Sequence, residues 1–271
     1  MSSAVTAAVN TAVSSAPHVL CIHSFASSSV QYQSLALRLA PGFQVRTADL
    51  YGHGSTPPWA EQRRFTLADE AAPLAALLPA DGAAHLVGHS YGAAVALRIA
   101  DANRARVRSL TLYEPAIWGT LSHLLPGEAA TREIETLRDE TIDLIDRGRL
   151  EAATERFIDY WAGAGTWAAT PEQRRPKLVA TVRSLRAAWI ATFVEQWSAA
   201  ALRSLEMPCL LLTGARSTAA ARRAIDLLRD LLPAATVIEF EALGHLGPVT
   251  HPHVVDATIE AFLLSKPGRS V

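Results

Sequence analysis

His85-Leu86-Val87-Gly88-His89-Ser90-Tyr91-Gly92-Ala93-Ala94 is the stretch on which the fold of this chain turns. Apolar Leu86-Val87 runs into Gly88-His89-Ser90-Tyr91-Gly92, and an alanine-rich run follows through Ala100. That pattern predicts a strand, a very sharp turn and a helix. So tight a turn strains its central residue and lifts that side chain clear of the sheet. The flanking positions face the next helix or the neighbouring strand, where a Cβ would clash and glycine does not. Ser90 is thus placed at the tip, its hydroxyl above the positive end of the helix. An ordinary packing turn would use the same glycines, so the surrounding chain has to decide between structure and chemistry.

Upstream, His18-Val19-Leu20-Cys21-Ile22 is a short, continuous apolar run, as in a strand buried on both faces. It ends in the small polar loop His23–Ser29. Residues 30–39 read as helix, 43–48 as strand, then Asp49-Leu50-Tyr51-Gly52-His53-Gly54-Ser55 as a glycine-punctuated loop. Residues 66–78 read as helix. Downstream of Ser90, residues 107–113 read as strand and stop at Glu114-Pro115. Alternating strands and helices imply a mostly parallel, doubly wound α/β sheet with its site at the carboxyl ends of the strands. The first 16 residues carry only a weak alternation (Val5, Val9, Val13), read as poor edge strand or tail.

The pattern then changes. Residues 117–203 show no clear strand, and 131–144, 150–161 and 176–197 read as helices. Five of the six tryptophans lie there. This segment is read as a helical lid inserted into a core of residues 1–116 and 204–271. Most of its aromatics would form its own core; Trp118 and Trp161 are expected to face the cleft and make an apolar substrate pocket. The sheet resumes at Pro208–Gly214, followed by a helix with Ala221, Ile225, Leu228 and Leu232 at helical spacing. A strand at 236–240 leads to Gly244-His245-Leu246-Gly247-Pro248. The last helix starts near Pro252, and the chain from Lys266 is read as loose.

The chain has 271 residues, 49% of them apolar and 19% charged, with a net charge of −1. That suits one large α/β domain with an insertion. No basic excess points to nucleic acid, and no apolar run approaches a membrane span. The first 17 residues lack a basic n-region and a compact apolar h-region, so a cytoplasmic protein is expected. Cys21 and Cys209 both sit in strand-like runs and read as buried free thiols. The histidines lack metal-ligand spacing, so no metal or cofactor is implied. The expected partner is a small-molecule substrate, and a homodimer is compatible with the composition.

With these pieces in order, the chain resembles the α/β-hydrolase fold family over nearly its whole length. The residues that carry the resemblance are the His23 loop, Asp49–Ser55, the elbow at Ser90, the helical lid, and Gly244-His245 before the last helix. The resemblance implies a serine nucleophile, Ser90, and the family's order of nucleophile, acid and histidine makes His245 the base. Many members carry an aspartate after the strand matching Pro208–Gly214; here Ser217 stands there. Some members place the acid one strand earlier, and Glu114 fits that slot. Glu239, Glu241, Asp226 and a bare Ser–His dyad are the alternatives. The oxyanion hole is expected from the Tyr91 and Phe25 N–H groups, with Ser24 where the family often has glycine. His23 and Ser24 are expected to line the substrate site.

What the resemblance implies is hydrolysis of an ester, lactone or thioester through an acyl-Ser90 intermediate. Aspartate-nucleophile relatives are disfavoured because residue 90 is not a carboxylate. Carbon–carbon bond hydrolysis of a ring-cleavage product, and ligand binding without turnover, remain the alternatives.

Overall fold

The structure, a computed structural model, describes residues 7–9, 16–60 and 62–266. Strands β1 (Ala7–Val9), β2 (His18–Ile22), β3 (Gln44–Ala48), β4 (Ala84–His89), β5 (Val107–Tyr113), β6 (Cys209–Gly214) and β7 (Ala235–Phe240) form one sheet. Their order is β1-β3-β2-β4-β5-β6-β7. β1 pairs antiparallel with β3, and every other pairing is parallel. Of the N-terminal residues read as edge strand or tail, 7–9 form β1; 1–6 and 10–15, like those after Lys266, lie outside the described residues.

Burial follows the sequence pattern. β4 and β6 are buried at all six positions, whereas β7, at the edge, is largely open. Continuous apolar runs therefore sit in the middle of the sheet, where helices cover both faces. Helices α1 (Gln33–Leu39), α2 (Leu67–Ala75), α3 (Tyr91–Ala102), α11 (Ala219–Leu231), α12 (Gly247–Thr250) and α13 (Pro252–Leu264) flank it. α3 is the most deeply set, with Ala93, Ala94, Val95, Ala96, Leu97, Ile99 and Ala100 all buried. Its alanines let the helix approach the sheet closely. Cys21 and Cys209 are buried free thiols.

From Glu114 to Pro208 the chain contains helices and no strand: α4 (Trp118–Leu124), α5 (Ala129–Asp146), α6 (Leu150–Ala162), α7 (Thr166–Ala169), α8 (Arg175–Val182), α9 (Leu185–Val194) and α10 (Ala199–Arg203). The single helix expected over 176–197 is two, broken at Arg183-Ser184. The break lies where this segment meets the core: a Cβ on Gly52 would fall 2.2 Å from Ser184 Oγ.

The sheet reverses its winding at β2 and β4. β2 runs on to β3 on one side, and β4 returns to the other. In such sheets the crevice outside the carboxyl ends of those strands is where ligands bind. The loop after β2 carries His23–Phe25 and the turn after β4 carries Ser90.

Candidate active site

Ser90 sits between β4 and α3 with φ +55° and ψ −116°. Positive φ is costly for a residue with a side chain, and the neighbours hold it there. Its N–H donates to Tyr113 O at 2.9 Å, and its carbonyl accepts from Ala93, Ala94 and Ala116 N–H. The two glycines are required by contact. A Cβ on Gly88 would lie 2.5 Å from Ala93 Cα, and one on Gly92 would lie 2.3 Å from the carbonyl oxygens of Ile22 and His23. No side chain fits either position.

The structure brings Ser90, His245 and Glu114 together. His245 Nε2 lies 3.0 Å from Ser90 Oγ, and His245 Nδ1 lies 2.7 Å from Glu114 Oε2. His245 comes from the loop between β7 and α12, and Glu114 from the end of β5, at φ +44°. All three side chains are buried. Glu114 is an acceptor only, so the His245 proton rests on Nδ1, and the Nε2 lone pair faces the Ser90 hydroxyl.

Glu114 has a second set of partners that the sequence did not reveal. Its other oxygen, Oε1, accepts from Thr213 Oγ1 at 2.8 Å, from Gly214 N–H at 2.8 Å and from the Ser217 hydroxyl. Burial alone would push this carboxyl up; the hydrogen bond and charge of His245, together with the Ser217 and Gly214 donors, outweigh it and hold Glu114 below the ordinary glutamate range. Ser217, standing in the slot expected to hold an acid, thus donates to Glu114 at the end of the neighbouring strand, β5. Glu239 and Asp226, weighed as alternatives, pair with surface arginines instead.

A cavity of about 290 Å³ opens at Ser90. Core residues Phe25, Tyr91 and Ala116 line it, as do Trp118, Phe157, Trp161, Leu185, Ala188, Trp189 and Thr192 from the helical segment. No charged side chain is among them. Trp118 and Trp161 stack with ring centroids 5.9 Å apart, and Trp161 also lies over His245, centroids 4.1 Å apart at 31°. Neither the Phe25 nor the Tyr91 N–H has a protein acceptor among the described residues, which leaves two backbone donors on residues that line the Ser90 cavity. A second cavity of about 500 Å³ shares Phe25, Tyr91 and Ala188 and extends toward Tyr51, Trp59 and Phe65.

His23 and Ser24, expected at the substrate site, do not line the Ser90 cavity. His23 is fully buried; its Nδ1–H donates to Ser24 O at 2.7 Å, and its Nε2 accepts from Leu50 N–H at 3.2 Å. Burial, reinforced by nearby His53, pushes its pKa down to about 3, so it is a neutral tie between the loops after β2 and β3. The Ser24 hydroxyl turns away to Gln31 Oε1 at 3.0 Å. The cause is shared: a polar group buried under the strand ends has to satisfy its hydrogen bonds locally.

A family model described as the alpha/beta hydrolase fold matches residues 17–252, and the chain belongs to that family. It is 34% identical over 146 residues to lipase LipV of Mycobacterium tuberculosis, covering 53% of this chain and 51% of that protein, so the match spans about half the lipase's length. Among solved structures, the alpha/beta hydrolase MGS-M2 from a Medee basin deep-sea metagenome superposes with a TM-score of 0.78 at 15% identity, covering 98% of this chain and 96% of that one. A thermophilic esterase from Thermogutta terrifontis superposes with a TM-score of 0.74 at 22% identity, covering 96% and 93%. At these identities the two structures speak for the fold alone. Among the described residues, no helix is long and apolar enough to cross a membrane.

Proposed function

We propose that this chain is a serine hydrolase that cleaves an ester, lactone or thioester of a small apolar substrate through an acyl-enzyme on Ser90. The observation that carries the reading is the line of hydrogen bonds from Ser90 Oγ through His245 to Glu114. A serine hydroxyl is a weak nucleophile and needs a base at its proton. His245 Nε2 takes that proton as Oγ attacks the substrate carbonyl carbon. The carbonyl π pair moves onto oxygen, which the Phe25 and Tyr91 N–H groups receive, each worth about 3 kcal/mol in such a transition state. The imidazolium, held by Glu114, returns the proton to the departing oxygen or sulfur. Water then repeats the sequence on the acyl-Ser90, and the acid leaves with Ser90 restored.

The apolar lining supports an uncharged acyl group. The helices that supply Phe157, Trp161 and Trp189 would act as a lid over it. The lipase match supports ester chemistry. A carboxylate set against His245 favours turnover over passive binding, because a receptor has no use for a stabilised imidazolium. The test is a panel of esters, thioesters and lactones of graded acyl size, with ring-cleavage ketones as the competing class, assayed on the wild type and Ser90→Ala. Saturable ester hydrolysis lost in Ser90→Ala is expected. Cleavage of the ketones alone, or hydrolysis unchanged in Ser90→Ala, would overturn the reading.

A further inference from the structure

Beside the Ser90–His245–Glu114 line runs a second chain of hydrogen bonds that the proposed chemistry does not use. Gln31 Oε1 accepts from the Ser24 N–H at 3.1 Å and from the Ser24 hydroxyl at 3.0 Å. Gln31 Nε2 lies 3.2 Å from His89 Nδ1, and His89 Nε2 lies 2.8 Å from the carbonyl oxygen of His245. The direction of every bond follows from its ends. A carbonyl only accepts, so His89 carries its proton on Nε2 and leaves the Nδ1 lone pair for the Gln31 amide N–H. The Gln31 amide is then fixed as well, with its oxygen toward the two Ser24 donors.

This chain joins three loops that are far apart in sequence. At one end is Ser24, next to the Phe25 N–H. At the other is the backbone of His245. His89, between them, is fully buried and immediately precedes Ser90. Burial, with His245 beside it, pushes its pKa far down, so it stays neutral. The His245 loop is pinned at the preceding carbonyl too: Tyr113 OH donates to Gly244 O at 2.7 Å. Ser24 carries a buried hydroxyl, and Gln31 is the group that satisfies it.

We infer that Gln31 and His89 are positioning residues that hold the loop bearing the Phe25 N–H in register with the loop bearing the His245 base. The inference rests on the serine-hydrolase reading of Ser90 for its kinetic consequences and on geometry alone for the bonds themselves. A relay of this kind acts as a unit, because breaking it at either link frees both loops.

The experiment is a double-mutant cycle on a short-chain ester, with Gln31→Leu, His89→Leu and the pair. Each single variant is expected to lower kcat about tenfold at nearly unchanged KM, and the pair no more than about twentyfold, since the second break has nothing left to disconnect. Additive losses of about a hundredfold, or losses confined to KM, would overturn the inference. Gln31→Glu keeps the shape and the Ser24 acceptor but has no proton for His89 Nδ1; it serves where Gln31→Leu fails to fold, and is expected to lower kcat in the same way. A second readout needs no activity. Ring nitrogen NMR of His89 in the wild type is expected to show the neutral, Nε2-protonated form from about pH 5 to pH 9. A proton on Nδ1, or titration within that range, would overturn the relay. Hydrolysis that survives Ser90→Ala would instead overturn the enzymatic reading and leave the NMR result to judge the relay.

Discussion

Ser217, which stands where the acid of many relatives would be, donates its hydroxyl to Oε1 of Glu114 while Oε2 of the same carboxylate accepts from His245. In the proposed mechanism the acid is Glu114, at the end of β5, and Ser217 is part of the cradle that holds it. Glu114→Gln can no longer fix the His245 tautomer or stabilise its charged form. It is expected to lower kcat by about 10³-fold or more in steady-state ester hydrolysis. Ser217→Ala removes one of three donors to Oε1 and is expected to cost only about three- to tenfold. The reverse ranking would remove Glu114 from the role of acid.

Ser217 lies one hydrogen bond from the carboxylate that meets His245, so the carboxylate should be transferable. In Glu114→Ala/Ser217→Asp, the aspartate side chain starts from the position now occupied by the Ser217 hydroxyl. Activity about tenfold above that of Glu114→Ala alone is expected, measured on the same ester. A double variant no better than the single one would mean that the β6 loop no longer reaches the base.

Trp161 lies against His245 with ring centroids 4.1 Å apart. An aromatic face so close attracts a cation by about 1–2 kcal/mol, and in the proposed mechanism His245 becomes one as it takes the Ser90 proton. Trp161→Leu should therefore reduce kcat/KM for a small ester about tenfold, with Trp161→Phe retaining most of it. Equal losses in both variants would point to pocket shape alone.

Glu70 is buried between Tyr51 N–H and Tyr91 OH, and burial raises its pKa from 4.5 to about 7. Between those values the folded chain holds more protons than the unfolded one, so this group's contribution to stability falls as pH rises through that window and is level above it. The span corresponds to about 3 kcal/mol. Glu70→Gln removes the ionisation and keeps an acceptor for Tyr51 N–H. Denaturant unfolding at about pH 5 and pH 8 should show the variant gaining on the wild type at the higher pH. A constant gap would contradict the assignment.

The fold could be read from local pattern because its central elements are local. β2 and β5 begin and end where the sequence reading put them, and the glycines around Ser90 are dictated by contacts within a few ångströms. The glycine-flanked turn singled out Ser90, the family resemblance singled out His245 and Glu114, and the structure brings the three side chains together. The rest of the site was not legible, because it depends on which loops meet. Nothing in the spacing of residues 24, 31, 89 and 245 joins them into one hydrogen-bonded chain. His23 shows the opposite error: proximity in sequence to the oxyanion loop suggested a substrate contact, yet its ring nitrogens are consumed by Ser24 O and Leu50 N–H. The break at Arg183-Ser184 escaped a periodicity reading; it lies against the Gly52 loop, on another part of the chain.

The proposed mechanism makes Ser90 the carrier of a covalent acyl intermediate, with His245 as its base. Intact-protein and peptide mass spectrometry after treatment with an uncharged alkyl fluorophosphonate tests it most directly. One adduct, mapped to Ser90, absent in Ser90→Ala and slowed by several orders of magnitude in His245→Ala, is the predicted result. Ester hydrolysis at full rate with Ser90 fully labelled, or inactivation with the adduct on another residue, would contradict this reading.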